Sequence, residues 1–335
     1  MKRLSLLGIA LLATLAAGCA ATTSPVNLAT VGTVAPPLPG GIVTGKAALP
    51  AAASQDNCGD ATPSLRPPAV MPPPGQMPAN STMAAIQKRG YLIAGVDQNT
   101  FLFGYRDPKL NQLVGFDIDM VRDVAQAIFG DSNSNRIVYK AITSAQRPTA
   151  LKGGTGSDQV DMVARTYTIT CARLAQVAFS TVYYQASRKV LVPSSSKVTD
   201  INQLGGKKIC ATTGSDSLGT NQGQPDAPIP VAVNDWSDCL VMLQQGEVDA
   251  VSTDDTILAG MVAQDTNTKI VGRSIAPEPY GLAFPKANTD FVGFVNGVLE
   301  HIRADGSWAN SYATWLKGHL SADVPAPPSP EYRNN

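Results

Sequence analysis

The spacing of apolar residues from Ser81 onward predicts helices and strands in alternation. Phe116, Met120, Val124 and Ile128 recur every four residues, which predicts an amphipathic helix that ends at the following glycine. On either side of it, YLIAGV and RIVYKAIT are short apolar runs typical of buried strands. This alternation predicts an α/β unit with a largely parallel sheet.

A second unit of the same kind follows along the chain. The runs KKICAT, PVAV and VDAVSTD predict strands, and DWSDCLVMLQQG and DTILAGMVAQD predict the helices that accompany them. The chain crosses between the two units near residues 183–187 and again near residues 279–282. The sequence therefore predicts an α/β fold of two lobes joined by two crossover strands, with a ligand cleft at the strand ends.

The predicted lobes occupy most of the chain. We expect lobe 1 to comprise residues 81–185 and 280–320, lobe 2 to comprise residues 186–279, and residues 321–335 to form a loose tail. Residues 19–80 are rich in Pro, Ala, Gly, Ser and Thr, and such a segment buries too little surface to offset its ordering entropy. It is predicted to be a semi-extended tether, of which only the part near Cys58 and Leu65 is expected to lie on the folded domain if Cys58 forms a disulfide.

The N-terminus has the pattern of a bacterial export signal. Lys2 and Arg3 precede an apolar run of roughly fourteen residues, a length that suits a signal peptide and is short for a membrane span. The run ends in LAAGC, which resembles a lipobox, so we expect a signal peptide over residues 1–18 and acylation of Cys19. The protein would then be lipid-anchored to the outer face of the cytoplasmic membrane. The alternative is an ordinary secretory signal with a chance cysteine.

Composition narrows the class of protein. The 335 residues carry 26 basic and 26 acidic groups, and this balance argues against a nucleic-acid-binding protein, which would normally show a basic field. Only two histidines are present, His301 and His319, so a histidine-rich metal centre is not expected, and no cofactor is predicted.

Four cysteines remain once Cys19 is set aside, and they permit three pairings. Cys210 ends a predicted strand and Cys239 lies early in the next helix, which favours a local disulfide between them. Cys58 and Cys171 would then pair by elimination. The alternative is that the thiols are free and buried.

The stretch DQVDMVARTYTITCARLAQVAFSTVYY, residues 158–184, predicts a site. A buried strand ends at a turn that carries Arg165, Thr166 and Thr168, and a helix predicted to begin near Thr170 brings Arg173 back towards that turn. An arginine offers a planar fork of donors, and a helix N-terminus favours negative charge. The sequence therefore predicts a pocket for a small carboxylate.

Several motifs together resemble a known family. They are GFDIDM, VDMVARTYTIT followed by FSTVYY, GEVDAVSTDD, YGLAFPKAN and the closing DGSW. In this order they resemble the bacterial extracellular solute-binding proteins of the polar amino-acid group, the glutamine and glutamate receptors of ABC importers. The resemblance spans roughly residues 81–320 and implies the two-lobed periplasmic-binding-protein, or Venus flytrap, fold. The lipobox, leader and TYTIT motif are most similar to actinobacterial, especially mycobacterial, lipoproteins of this group.

The resemblance also implies roles for particular residues. Arg173 corresponds to the arginine that clamps the ligand α-carboxylate, with Thr168 assisting, and Asp254 to the aspartate that receives the α-ammonium. The turn at Arg165 and Thr166 and the loop of Gly214, Ser215 and Asp216 would also touch these groups. Asp97, Thr100 and Phe101 stand where the family places its side-chain wall.

Other interpretations remain open for these residues. Arg173 would otherwise be a solvated helix residue, Asp254 a helix cap and Asp97 a strand-end turn residue. The family often has a small residue in place of Arg165, so this guanidinium is either structural or binds a second carboxylate. Glutamine receptors carry a lysine where this chain has Thr212, and Arg147 is a further candidate for the side-chain end. The hypothesis is therefore that a free Glu, Gln, Asp or Asn is the ligand, with the acidic pair bound at least as well as the amides.

Two rival functions follow from the same architecture. Cyclohexadienyl dehydratases share it, but they need a general acid in the cleft in place of a zwitterion clamp, so we expect a protein that is not an enzyme. The other rival is the ligand-binding subunit of an amino-acid sensing pathway. Its partner would be a membrane sensor protein instead of an ABC permease, and the pocket would be the same.

Overall fold

The computed structural model describes residues 36–49, 58–153, 159–220, 222, 226–321 and 323–333. Contacts divide the chain after Pro37 into two units, and everything described below belongs to the second, which begins at Leu38. The predicted signal peptide and Cys19 lie outside the described residues. Among the described residues, no helix combines the length and apolar character that crossing a bilayer requires.

Strands and helices follow one another from residue 82 to residue 315, with some strands in succession. The strands are β1 Val43–Thr44, β2 Leu92–Val96, β3 Asn99–Thr100, β4 Gly104–Asp107, β5 Gln112–Val114, β6 Ile137–Ala141, β7 Met162–Ala164, β8 Ala178–Phe179, β9 Tyr184–Pro193, β10 Lys208–Thr212, β11 Ile229–Val233, β12 Ala250–Asp254, β13 Thr268–Val271, β14 Pro277–Tyr280 and β15 Ala283–Phe284. The helices are α1 Thr82–Arg89, α2 Phe116–Phe129, α3 Arg147–Lys152, α4 Cys171–Leu174, α5 Trp236–Gln244, α6 Asp255–Gln264, α7 Thr289–Ala304 and α8 Ser307–Trp315.

Lobe 1 is built on a five-stranded sheet in the order β6-β2-β7-β15-β8. Strand β2 runs parallel to β6 and to β7, with Ala94 opposite both Tyr139 and Met162. Helix α2 covers this sheet because its buried positions include the predicted apolar stripe, from Phe116 to Ile128. Since β2 and β7 are parallel, both end at the same edge of the sheet, and the turn that follows β7 lies at that edge.

Lobe 2 is built on a second sheet in the order β1-β11-β10-β12-β9-β13. Strands β10, β11 and β12 are parallel, and every residue of β12 is buried, as expected for a strand covered on both faces. Strand β12 ends at Asp254, and the next residue begins α6. The two-lobed α/β fold predicted from the sequence is therefore confirmed.

The two lobes are joined by a pair of antiparallel strands. Strand β14 pairs with the first half of β9, with Tyr280 opposite Tyr184 and Pro277 opposite Ser187, and the second half of β9 belongs to the sheet of lobe 2. These strands cross close to the two positions at which the sequence predicts a hinge. Helices α7 and α8 then close lobe 1, where Trp308 is buried and its indole nitrogen donates to Tyr183 O at 2.8 Å.

The proline-rich leader differs from the predicted tether. Strand β1 adds to the edge of the lobe 2 sheet beside β11, and Leu65, Met71 and Met77 pack against the core of lobe 1. A few apolar side chains and strand pairing therefore hold parts of the leader that composition alone assigns to a tether. The predicted loose tail is ordered as well, since Tyr332 pairs with Ser64 and its hydroxyl donates to Glu300.

Two disulfides fix these segments. Cys210 is bonded to Cys239 within lobe 2, and Cys58 is bonded to Cys171, which joins the leader to the first residue of α4. These are the pairings that the sequence predicts. Closing a loop of 113 residues restricts the unfolded chain strongly, and disulfides of such separation are worth roughly 4 to 5 kcal/mol in the chain-entropy account.

Candidate functional site

A strained turn after β7 opens the site. Thr166 adopts a φ of 40°, which is rare for a β-branched residue, so the turn must be held by its neighbours. Asp117 does so from the start of α2, because its carboxylate accepts the Thr166 N–H at 2.9 Å and the hydroxyl of Tyr183. Burial raises the pKa of Asp117 to about 6, although both of these hydrogen bonds favour its ionised form.

Arg173 reaches the turn from α4. Its Nη1 donates to Thr168 O at 2.8 Å, and its guanidinium lies 4.8 Å from the ring centre of Tyr167. Helix α4 has only four residues, shorter than the sequence suggests, so its dipole adds little and the guanidinium itself carries the positive charge. Only 11% of the Arg173 side chain is exposed, which argues against a solvated helix residue.

Lobe 2 supplies Asp254 at the end of β12. The Tyr280 hydroxyl donates to its Oδ2 at 2.6 Å, whereas Oδ1 is buried and has no hydrogen-bond partner. Burial, and then the nearby Glu278 and Asp216 carboxylates, raise the pKa of Asp254 well above its usual range. The residue also stands at the N-cap position of α6, but its side chain makes no capping hydrogen bond. A buried carboxylate oxygen without a donor is costly, so Asp254 is suited to receive a cation.

A network of charges links the lobes beside these residues. Asp216 lies between two guanidiniums, 3.4 Å from Arg173 Nη2 and 2.8 Å from Arg188 Nη2. Arg188 also pairs with Glu278, whose other oxygen accepts from the Thr168 hydroxyl at 2.6 Å. Partial burial opposes the ionisation of Asp216, but Arg173 and Arg188 outweigh it and hold the pKa below its usual value. Ionisation is therefore favoured at Asp216 and disfavoured at its neighbour Asp254.

The lobes approach closely at Gly214. Its φ is +80°, and a Cβ at this position would lie 2.6 Å from Ala145 Cα of the opposite lobe, so only glycine fits. The Gly214 carbonyl accepts from Arg147 Nη2 at 3.1 Å and from Arg173 Nη2 at 3.4 Å. Thr212 stands where glutamine receptors are expected to carry a lysine. Its hydroxyl donates to Ser144 Oγ at 3.1 Å.

These residues enclose a small cavity between the lobes. Its volume is about 10 Å³, roughly the space of one water molecule, so the lobes are closed on one another here. It is lined by Ser144, Arg147, Thr166, Thr168, Arg173, Ser215, Asp216, Trp236, Thr253, Asp254 and Ile257. The volume lies below the range of roughly 300 to 1,000 Å³ that is typical of drug-sized ligands. A guanidinium on one wall and an unpartnered carboxylate oxygen on the other suit a small zwitterion.

Besides Gly214, four of the residues expected in the pocket lie outside the cavity lining. Asp97 accepts from the backbone amides of its own loop and from the Thr100 hydroxyl, and it forms an ion pair of 2.8 Å with Arg165. Arg165 is fully buried and also donates to Ile142 O and to Ser144 Oγ. Phe101 packs edge-on against Tyr105. None of the four lines the cavity, and the Asp97–Arg165 pair braces the strand ends around it.

Sequence patterns missed several residues that line the site or its charge network. Ser144, Trp236, Thr253 and Ile257 line the cavity, and Arg188 and Glu278 complete the ion network. Thr253 directly precedes Asp254 on β12, so its position at the end of a strand could have indicated that Thr253 lines the site. Glu278 stands between two prolines of a crossover strand, where an acidic residue that is 1% exposed is unusual.

Comparison with known proteins agrees with this geometry. Residues 92–318 match the bacterial extracellular solute-binding proteins, family 3. An ABC transporter glutamine-binding protein of Bacillus subtilis is 32% identical over 238 residues, which cover 70% of this chain and 85% of that one. A glutamate-binding protein of Corynebacterium efficiens is 30% identical over 239 residues, with 68% and 78% covered.

Solved structures have the same two-lobed fold. An ancestral arginine-binding protein bound to glutamine is 30% identical, with a TM-score of 0.61 over 68% of this chain and 98% of that one. The solute receptor for L-cysteine of Neisseria gonorrhoeae is 23% identical, with a TM-score of 0.65 over 71% and 94%, and at this identity it shows the fold alone.

The fold is that of a two-lobed binding protein, and the family match and the relatives identify a solute-binding protein and not an enzyme. The chain belongs to the bacterial extracellular solute-binding proteins, family 3.

Proposed function

We propose that this protein is a lipid-anchored extracytoplasmic receptor that binds a polar or acidic L-amino acid, namely Glu, Gln, Asp or Asn, and presents it to an ABC-type permease. The observation that carries the proposal is the small cavity between the lobes, with Arg173 on one wall and the unpartnered Oδ1 of Asp254 on the other. Relatives named for glutamine and glutamate binding support the choice of ligand class.

The charges explain why ligand and closure would go together. An amino acid brings a carboxylate and an ammonium, and both must be paired once they are buried, since an unpaired buried charge costs several kcal/mol. Arg173 belongs to lobe 1 and Asp254 to lobe 2, so both charges are satisfied only when the lobes meet. Ligand binding would therefore shift the hinge equilibrium towards the closed arrangement.

The experiment is calorimetric titration of the soluble domain with the four proposed ligands, and with leucine as an apolar control. We expect dissociation constants at or below the micromolar range for at least one of the four, and no binding of leucine. A protein that binds leucine and none of the four would contradict the proposal. A thermal-shift screen gives a second readout, because a ligand that binds only the native state raises its midpoint.

The lipid anchor is tested separately. In cells, the Cys19→Ala variant should move from the membrane fraction to the soluble extracytoplasmic fraction, because a single site of acylation would hold the mature chain. Unchanged sedimentation with membranes would show that another feature retains the protein.

A further inference from the structure

Two hydrogen-bond donors at the cavity have no anionic partner. Arg147 is 3% exposed, and its guanidinium donates only to backbone carbonyls, those of Ser144, Arg165, Thr166 and Gly214. Among the ion pairs of the described residues, none includes Arg147. Burial, and then the nearby Arg173 cation, lower the pKa of Arg147 to about 9. A buried cation without a counter-ion is rare, because it has lost its hydration without gaining an opposite charge.

The second donor is the indole of Trp236. This residue begins α5 in lobe 2 and is 4% exposed, and its Nε1 is buried with no hydrogen-bond partner. An indole nitrogen can only donate, and a buried donor that stays unpaired destabilises the protein. The ring also packs into the core of lobe 2, which holds the N–H in a fixed direction.

Both donors line the same cavity as Arg173 and Asp254. If those two residues bind the α-carboxylate and the α-ammonium, as the proposed function requires, what remains of the cavity offers the Trp236 N–H and the fifth Arg147 N–H, since carbonyls accept the other four. It also holds the Arg147 charge, which forms no ion pair among the described residues. The ligand group that complements it is an acceptor with negative charge. An amide oxygen could accept from both donors, but its NH₂ group would add two further donors to the site, and it would bring no charge.

We propose that Arg147 of lobe 1 and the Trp236 indole N–H of lobe 2 together bind the side-chain carboxylate of the ligand, and so make acidic amino acids preferred over their amides. This inference rests on the proposed function for the two α-groups. It assigns Trp236, which no sequence pattern indicates, as a specificity-determining residue. Because the two donors come from different lobes, the side-chain carboxylate would also link the lobes on closure.

The test compares ligands that share a carbon skeleton. Glutamate, glutamine and norvaline have the same chain and end in a carboxylate, an amide and a methyl group respectively. Affinities of the intact protein and of Trp236→Phe are measured by calorimetry for all three, which gives a double cycle between the indole N–H and the ligand terminus. The Phe variant keeps most of the ring and removes the N–H.

We expect Trp236→Phe to weaken glutamate binding about tenfold and to leave norvaline binding unchanged, since a charge-assisted hydrogen bond is lost only with glutamate. Arg147→Gln should weaken glutamate binding about 100-fold and glutamine binding less than tenfold, because only glutamate loses a counter-ion. Arg147→Lys should recover part of the loss, since it keeps the charge. The matched control is Trp315→Phe, which removes an indole N–H that donates to Asp119 at 2.7 Å and lies outside the cavity.

The outcomes separate the possible errors. An equal loss for all three ligands would mean that the Trp236 N–H binds the α-carboxylate, and it would overturn the inference, as would no loss at all. Unfolding midpoints without ligand identify a variant that fails to fold, and Arg147→Lys then provides the comparison for Arg147→Gln. If the unmodified protein binds none of the three ligands, and no aspartate or asparagine either, the proposed function itself is wrong. If it binds them and the ratio of glutamate to glutamine affinity is the same in every variant, only this inference is wrong.

Discussion

The two walls of the cleft carry opposite charge and are built differently. Lobe 1 contributes the guanidiniums of Arg147 and Arg173, which are held by backbone carbonyls and by the ring of Tyr167, 4.0 Å and 4.8 Å from the two groups. Lobe 2 contributes the carboxylates of Asp216 and Asp254. The cationic wall comes from a turn and two short helices, whereas Asp254 of the acidic wall ends a fully buried strand.

This difference would let one site bind a zwitterion, as the proposed function requires, and still come apart. The acidic wall is held by crossover groups such as the Tyr280 hydroxyl on Asp254, whereas both guanidiniums of the cationic wall also donate to Gly214 O of lobe 2. Direct ion pairing between the walls is weak, since the Arg173–Asp216 distance is 3.4 Å, and Asp216 is shared with Arg188. A ligand would therefore replace contacts between the walls that involve little direct charge pairing. Substitutions that remove one wall's charge should weaken binding more than substitutions that only impede closure.

The largest effect is expected for Arg173→Ala. Without the guanidinium, the ligand carboxylate would face Asp216 with no cation between them except Arg188. Removing one partner of a buried charge pair costs about 3 to 5 kcal/mol, so affinity should fall roughly 100- to 5,000-fold. Calorimetric titration measures this change. Arg173→Lys is the matched variant and should recover only part of the affinity, because a lysine cannot form the bidentate contact. Affinity within threefold of the unmodified protein would show that this wall does not bind the carboxylate.

A somewhat smaller effect is expected for Asp254→Asn. The amide keeps the size of the side chain and removes the charge that would pair with the ligand ammonium, and we expect about a 100-fold loss of affinity. Stability without ligand should change in the opposite direction. Burial and the neighbouring Glu278 and Asp216 disfavour the Asp254 carboxylate, so the uncharged amide should raise the unfolding midpoint. A lowered midpoint in scanning calorimetry would contradict this account.

The raised pKa of Asp254 predicts a proton signature of binding. Its pKa is higher in the folded than in the unfolded protein, so below the folded pKa the native carboxyl holds a proton, and the stability that it contributes is lost as pH rises through that value. A ligand ammonium favours the carboxylate, so binding should release a proton, and affinity should increase with pH until the folded pKa is passed. Titrations at pH 6 to 8 in buffers of different ionisation enthalpy measure this release, which should be absent in Asp254→Asn.

The sequence predicts the fold around the site better than the side-chain contacts within it. The hydrophobic periods, the glycine stops and the cysteine count were sufficient for two lobes, two crossovers and two disulfides, because these depend on local patterns. The resemblance to a family indicated Arg173, Thr168 and Asp254, which the structure brings to one cavity. It also indicated Asp97 and Arg165, whose mutual ion pair depends on two loops meeting in space, and no pattern along the chain reports that contact.

The same limit applies to Arg188, Glu278 and Trp236. Each has an unremarkable local context, and its significance arises from burial beside groups of another segment. From the sequence alone, Arg188 is a charged residue in a predicted strand, and its side chain is expected to be solvated. Charge balance within a buried site can be evaluated only once the segments are assembled.

The smallest effect is expected where closure, and not charge, is changed. Gly260 lies in α6 of lobe 2, and a Cβ added there would meet Phe101 O of lobe 1 at 2.5 Å. Neither residue lines the cavity. The Gly260→Ala variant would have to keep the lobes slightly apart or shift a helix, and we expect about a tenfold loss of affinity for every ligand, with no change in the order of preference.

Gly260→Ala should lower the affinity without lowering the stability of the ligand-free protein. It therefore separates the effect of closure from the effect of charge on either wall. Alanine is favoured over glycine inside a helix by roughly 0.5 to 1 kcal/mol, and separation of the lobes would make room for the methyl group. The ligand-free unfolding midpoint should therefore stay the same or rise while affinity falls, and small-angle scattering should show less compaction on addition of ligand. The matched control is Ala263→Gly in α6, which should lower the midpoint and leave affinity unchanged. Gly306→Ala would not serve as a control, because φ at Gly306 is +88°. If Gly260→Ala binds as tightly as the unmodified protein, contact between α6 and the Phe101 loop is not part of the bound arrangement.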